Sequence, residues 1–250
     1  MALVTALAVS GCASGPRRPS LPQAQVERAL ATAAGEAQPS HIVAAEIAFA
    51  RSARENGQWT AFREYAAPGA ILHRAGGSVD AAGWLAQQSD PTEAVKWGPR
   101  SIWMSCDAAL AASESRYRDP DGTVGTFVIL WRRQNDGSYR WLYDAGTPDK
   151  PQPPAPGPDE LPDENAIVVT AMDAIQGLVA DCRDTAPPLP AEMAARRATM
   201  KGWTSPDGTL SFRWETAEGK RRLMVDWLYE GQWQTALSHA WPTNAPATTE

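Results

Sequence analysis

The stretch TFVILWRRQNDGSYRWLYDAG, residues 126–146, constrains the fold more than any other part of the chain. Two runs of alternating bulky residues flank Asn135-Asp136-Gly137, and Asp-Gly between such runs is the strongest short-range signal for a β-hairpin. Alternation places Tyr139, Trp141 and Tyr143 on one face and Arg140, Leu142 and Asp144 on the other. Upstream, RSIWMSC (100–106) and ALAASESRYR (109–118) read as two further strands, with Asp119-Pro120-Asp121-Gly122 as the turn into the hairpin. The spacing therefore predicts a four-stranded antiparallel meander over 100–146.

Helical periodicity precedes it. Ser40 is placed to cap a helix whose apolar side carries Ile42, Ile47, Phe49 and Ala50, with Gly57 at its end. A second, shorter helix puts Trp59, Phe62 and Tyr65–Ala66 on one face. A short strand (70–74), a turn (76–79) and a third short helix (80–88, capped by Asp80) follow. Residues 148–165 are Pro-dense and read as a linker. Beyond them, Ile167, Ala171, Ile175, Leu178 and Cys182 recur at helical spacing, which predicts a helix over 166–182. Residues 185–193 read as a loop. Three strands close the chain, at 209–215, 221–230 and 232–241, and residues 243–250 form a disordered tail. The sets Leu210/Phe212/Trp214, Leu223/Val225/Trp227/Tyr229 and Trp233/Leu237/Trp241 give this second meander one apolar side. That side needs a cover, either the 166–182 helix or the first sheet. No repeat stands out between the two halves. The fold class is α+β: three N-terminal helices on a curved antiparallel sheet (39–147), then a C-terminal helix and three-stranded antiparallel meander (166–242).

Charge and motif spacing exclude several chemistries. The net charge is −6 and no Lys/Arg stripe exists to neutralise phosphates, so nucleic acid is not an expected partner; GKRR at 219–222 reads as a solvated turn. His41, His73 and His239 lack metal-ligand spacing, and no metal is expected. There is no nucleophile elbow, phosphate loop or dinucleotide fingerprint, and no cofactor is expected. Eleven Trp residues spread along the chain point to core and sheet packing.

The N-terminus carries an address. An apolar run, Ala2–Val9, leads through Ser10 and Gly11 to Cys12, too short a run for a membrane span. VSGC resembles the bacterial lipobox, whose cysteine is lipidated and becomes the mature N-terminus. The resemblance implies a signal peptide over 1–12, a tether over 13–38 (its first half, 13–24, Pro-rich), and a lipid anchor to the membrane. Ala13, where an Asp would signal retention, implies the outer membrane, facing the periplasm. No Lys or Arg precedes the apolar run, so either translation starts upstream of Met1 or the signal is a weak one. With Cys12 taken by lipid, Cys106 and Cys182 remain, an even pair that either forms a disulfide in the oxidising periplasm or stays as two buried thiols.

The order helix, helix, strand pair, helix, long meander resembles the nuclear transport factor 2-like superfamily, in its SnoaL-like and ketosteroid isomerase-like branch. The likeness is carried by GTFVILWRRQNDGSYRWLYDAG and by ENGQWTAFREYAAPGAILH, and covers about 39–147. It implies a cone with an apolar interior lined by Trp59, Phe62, Tyr65, Trp103, Tyr139, Trp141 and Tyr143, and a sheet face available to a homodimer. Enzymes of this fold set an acid or base against such a cavity. The candidates here are Asp144, His73, Tyr65, Tyr143 and Asp107, and a His73–Asp144 pair could act as base and orienter. Asp144 could equally cap a turn or pair with Arg132, and His73 could be a packing residue. The expected function is a non-catalytic, anchored periplasmic protein that binds a small apolar or amphipathic ligand or docks a partner. The alternative is an isomerase, dehydratase or cyclase using Asp144 or His73 as general base.

Overall fold

Helical segments come first and strands dominate thereafter in the computed structural model, which describes residues 37–154, 174–182 and 187–243. Helices α1 (Pro39–Asn56) and α2 (Gln58–Tyr65) lead into β1 (Ala66–Arg74), β2 (Gly77–Asp80) and α3 (Ala81–Leu85). Strands β3 (Lys96–Met104), β4 (Leu110–Arg118), β5 (Val124–Arg133) and β6 (Tyr139–Pro148) form the first meander. After β7 (Gln176–Val179) and α4 (Ala191–Thr199) come β8 (Lys201–Thr204), β9 (Leu210–Ala217), β10 (Lys220–Tyr229) and β11 (Gln232–Pro242). Cys12, expected as the lipidation site, the expected tether as far as Glu36, most of the expected linker and the residues after Thr243 lie outside the described residues.

The strands make two sheets, a seven-stranded one ordered β2-β1-β6-β5-β4-β3-β7 and a four-stranded one ordered β11-β10-β9-β8. The first is mixed rather than wholly antiparallel, because β1 runs parallel to β6 and β7 parallel to β3. One face of it carries α1–α3 over a core that includes Ile42, Phe49, Leu85, Ile129, Trp131 and Trp141. The other face packs on the second sheet, where Leu130, Leu142 and Tyr143 meet Phe212, Trp214 and Val225. Both sheets fall in one compact unit. The cover for the second meander is thus the first sheet; of the helix expected over 166–182, residues 166–173 lie outside the described residues and 174–182 are not helical.

That helix is a correction. Gln176–Val179 is a strand, pairing Ser101↔Gln176 through Met104↔Val179. The Ile/Leu spacing fits a helix, but the open edge of β3 offers a ladder of backbone partners, and Leu178 packs against the inter-sheet core. Gly177 lies so close to Pro39 of α1 that a Cβ there would stand 2.7 Å from the Pro39 ring. The C-terminal helix lies instead at Ala191–Thr199, partly in the segment read as loop, and β8 adds a fourth strand to the expected three. Helix α4 sits on the outer side of the second sheet, with Arg196 bonded to buried Asp226 at 3.0 Å and Arg197 stacked 4.7 Å over Trp233.

Local details also differ. α1 starts at Pro39, which suits a first helical position, and no side chain caps it; Ser40 lies inside the first turn. Ile47 is 53% exposed, and Glu46 takes its place on the buried side. Gly57 turns the chain between α1 and α2 at φ 107°, and Asp90 caps α2 from a distance, accepting bonds from the amides of Trp59 and Thr60 at 2.5 and 3.0 Å. Cys106 and Cys182 form a disulfide that ties the β3–β4 loop to the end of the β7 segment.

Candidate functional site

The site is decided by one residue of β6. Trp131 pairs with Trp141 but Leu130 pairs with Tyr143, leaving Leu142 as a β-bulge. Trp141 and Tyr139 point to the helix side. Leu142 and Tyr143 both point to the second sheet. The next residue, Asp144, stands across from Ile129, a member of the helix-side core. The bulge therefore reverses the expected alternation and carries the acid under the helices, while Tyr143 leaves that interior.

Asp144 is half-buried, and its carboxyl has no hydrogen-bond partner among the described residues. Burial pushes its pKa up to about 7, helped by the nearby Glu46 charge and opposed by Arg221. Glu46, from α1, is 0% exposed. Its carboxylate accepts bonds from Ser115 and, at 2.8 Å, from Ser113, whose hydroxyl also accepts the Trp131 indole N–H at 3.0 Å. Burial raises Glu46 to about 7 despite these bonds. Two carboxyls thus share an apolar interior with their protons held into the neutral range. Glu46 was missed from the sequence, although it falls four residues after Ile42 and three before Phe49, within the buried stripe. Ser113 and Ser115, alternating along β4, were the second overlooked signal.

His73 lies on the opposite side of the sheet. It is 1% exposed, held by Tyr143 Oη at 2.6 Å on Nδ1 and Thr216 Oγ1 at 2.8 Å on Nε2. Burial and the Arg221 and Lys201 charges lower it to about 4, so it is neutral at ordinary pH. The structure does not bring His73 and Asp144 together as base and orienter. Asp107 is in the β3–β4 loop, occupied by Ser105 and by the backbone of Ala109 and Asp207. Tyr65 is half-buried beside Phe49, rings 5.1 Å apart.

The aromatic set divides. Trp59, Phe62, Tyr65, Tyr139 and Trp141 belong to the helix-side core, and Trp103 and Tyr143 to the inter-sheet core. The helix-side rings touch one another: Phe49–Phe62 at 4.8 Å, Trp59–Trp84 at 5.1 Å and Trp59–Phe62 at 5.3 Å. Tyr139 donates to the carbonyl of Ala108 at 2.8 Å, and Trp141 to that of Phe62 at 3.1 Å. Two open recesses, about 320 and 310 Å³, lie elsewhere, where the rims of the two sheets meet: one beside Thr126, Thr147 and Trp241, the other beside Ile71, Val79 and Trp214.

Among the described residues, no three His, Cys, Asp or Glu side chains are grouped to hold a metal ion, and no helix is long and apolar enough to cross a membrane. No family model matches the chain, and no curated protein matches it.

Proposed function

We propose that this is a lipid-anchored periplasmic protein of the nuclear transport factor 2-like type. In this reading α1–α3 and the first sheet make a cone that binds, without catalysis, a small and largely apolar molecule bearing one polar group. The observation that carries it is Asp144: an acid placed inside by the Leu142 bulge, still partly accessible, and without a hydrogen-bond partner among the described residues. A neutral carboxyl in that position can donate one hydrogen bond and accept others, the directional contact an apolar pocket needs. Half-buried Trp59, Phe62, Tyr65 and Trp84 pack against the helix-side core, the side of the sheet to which Asp144 is turned. The envelope address is supported by the Val9-Ser10-Gly11-Cys12 stretch and, from a separate part of the chain, by the Cys106–Cys182 disulfide, a bond kept in oxidising compartments.

A second reading is favoured by the pairing of Asp144 with Glu46, both held near 7. Such a pair can take and return a proton at neutral pH, as a cofactor-independent isomerase, dehydratase or cyclase would need. One experiment addresses both. Protein extracted from its own cell envelope is analysed by native mass spectrometry, wild type beside Asp144→Asn. A co-purifying small molecule that is lost in the variant supports the binding reading. The same molecule returned chemically changed by wild type only would move the conclusion to catalysis. No bound molecule in either protein removes both. The intact mass of the mature N-terminus tests the anchor, and an unmodified Cys12 removes it.

A further inference from the structure

Two eight-residue segments stand 100 positions apart: Trp103-Met-Ser-Cys-Asp-Ala-Ala-Leu110 and Trp203-Thr-Ser-Pro-Asp-Gly-Thr-Leu210. They share Trp, Ser, Asp and Leu at identical spacing, which corrects the expectation that the halves carry no repeat. Their bonding is the same atom for atom. Ser105 Oγ donates to Asp107 at 2.6 Å and receives the Leu110 amide at 3.1 Å. Ser205 Oγ donates to Asp207 at 2.6 Å and receives the Leu210 amide at 3.0 Å. Asp107 accepts from the amide of Ala109, and Asp207 from that of Thr209. Ala108 and Gly208 both take positive φ, 59° and 71°.

The likeness continues downstream. Each segment opens a three-strand antiparallel run, β4-β5-β6 or β9-β10-β11. Leu110 pairs with Arg132 and Leu210 with Trp227, which sets the equivalence. Relative to those pairs the next ladder is bulged at the same place, between Leu130 and Trp131 in one run and between Val225 and Asp226 in the other. The bulged residues are Leu142 and Ala236, and each last strand then runs to a proline, Pro148 or Pro242. The two loops also meet each other. The Asp107 amide donates to Asp207 Oδ2 at 2.8 Å, and the Asp207 amide donates to Asp107 Oδ2 at 3.0 Å. Reciprocal contacts of this kind, i on j and j on i, are what a two-fold axis produces.

We infer that residues 201–242 are a second copy of the 96–148 meander, packed on it as the second subunit of an isologous dimer would pack. The chain fills in cis the sheet face on which a second copy would otherwise dock, and it is a monomer with respect to that face. This holds whichever reading of the helix-side site is right, because it concerns the opposite face of the sheet.

Sedimentation equilibrium of the full chain over the micromolar range, with urea unfolding of wild type, Asp107→Ala, Asp207→Ala and the double variant, tests it. A monomer with a single transition is expected. Each single variant should raise the unfolding equilibrium constant about tenfold. The double variant should raise it by less than the product, since either loss already loosens the shared contact. A stable dimer, a separate early transition of the C-terminal sheet, or one aspartate silent while the other matters would overturn the proposal. The oligomeric state of the wild type decides even if a variant fails to fold.

Discussion

Replacing Glu46 by Gln should change how stability depends on pH. In the folded protein the Glu46 carboxyl is raised from 4.5 to about 7, because burial disfavours its charge more than Ser115, Ser113 and Trp131 favour it. The folded state therefore holds this proton more tightly than the unfolded chain. The stabilisation is complete below pH 4.5 and is lost as the pH rises through about 7. A displacement of that size is worth about 3 kcal/mol in full, of which about 2 kcal/mol falls between pH 5 and 7.5. Gln keeps the shape and an acceptor oxygen but cannot ionise. Urea unfolding followed by tryptophan fluorescence at the two pH values, on both proteins, isolates the effect, since the wild-type-minus-variant difference cancels most other titrations. That difference should move against wild type by about 2 kcal/mol on going from pH 5 to 7.5. Asp144 adds in the same direction, because Glu46 helps to raise it. A difference that does not vary with pH would refute the placement of Glu46 as a buried, proton-holding acid.

Asp144→Asn should gain on the wild type as the pH rises, by about 2–3 kcal/mol between pH 5 and pH 8, because the folded protein holds the Asp144 proton up to about 7 while the unfolded chain releases it near 3.8; thermal melts at both values check this. His73→Ala should cost about 2–4 kcal/mol by opening a void and stripping partners from Tyr143 and Thr216, measured by urea midpoint. In the wild type the His73 ring, followed by NMR, should stay neutral until the pH falls to about 4, so its contribution is whole above 6.5 and lost below about 4. Serine at both Cys106 and Cys182 should cost about 4 kcal/mol, because the bridge closes a separation of 76 residues; an unchanged denaturation midpoint would count against the bridge in the native protein.

The parts that were legible in the sequence are those governed by local pattern. The Asn-Asp-Gly turn, the alternation of 124–133 and the stripes of α1 and α2 are short-range signals, and β4–β6, α1 and α2 form where those signals lie. The 166–182 stripe misled because helical spacing of Ile175, Leu178 and Cys182 says nothing about the open edge of β3, a partner more than seventy residues away that recruits 176–179 as a strand. Glu46 was passed over because a charge on an apolar stripe reads as a boundary. It is tolerated there only because β4 brings Ser113 and Ser115 beneath it. The internal repeat was hidden because its identities are confined to one loop, while the strands that follow keep register and bulge position rather than residue identity.

The Leu142 bulge decides more than any other local feature, and alternation cannot reveal it. Without it, Asp144 would face the second sheet and Tyr143 the helices. With it, Tyr143 reaches His73 and Phe212 in the inter-sheet core, and the acid joins Glu46 under α1. The second meander makes the same bulge at Ala236, and the residue equivalent to Asp144 is Ser238, which is exposed. So the shared backbone device is put to two uses. In the second copy it turns Leu237 inward and leaves a hydroxyl in solvent, which serves packing alone. In the first it delivers a titratable group to an apolar interior, at a cost in stability at neutral pH that packing does not require. A costly placement in one copy and a harmless one in the other is the pattern expected when the first copy carries the function and the second supports it.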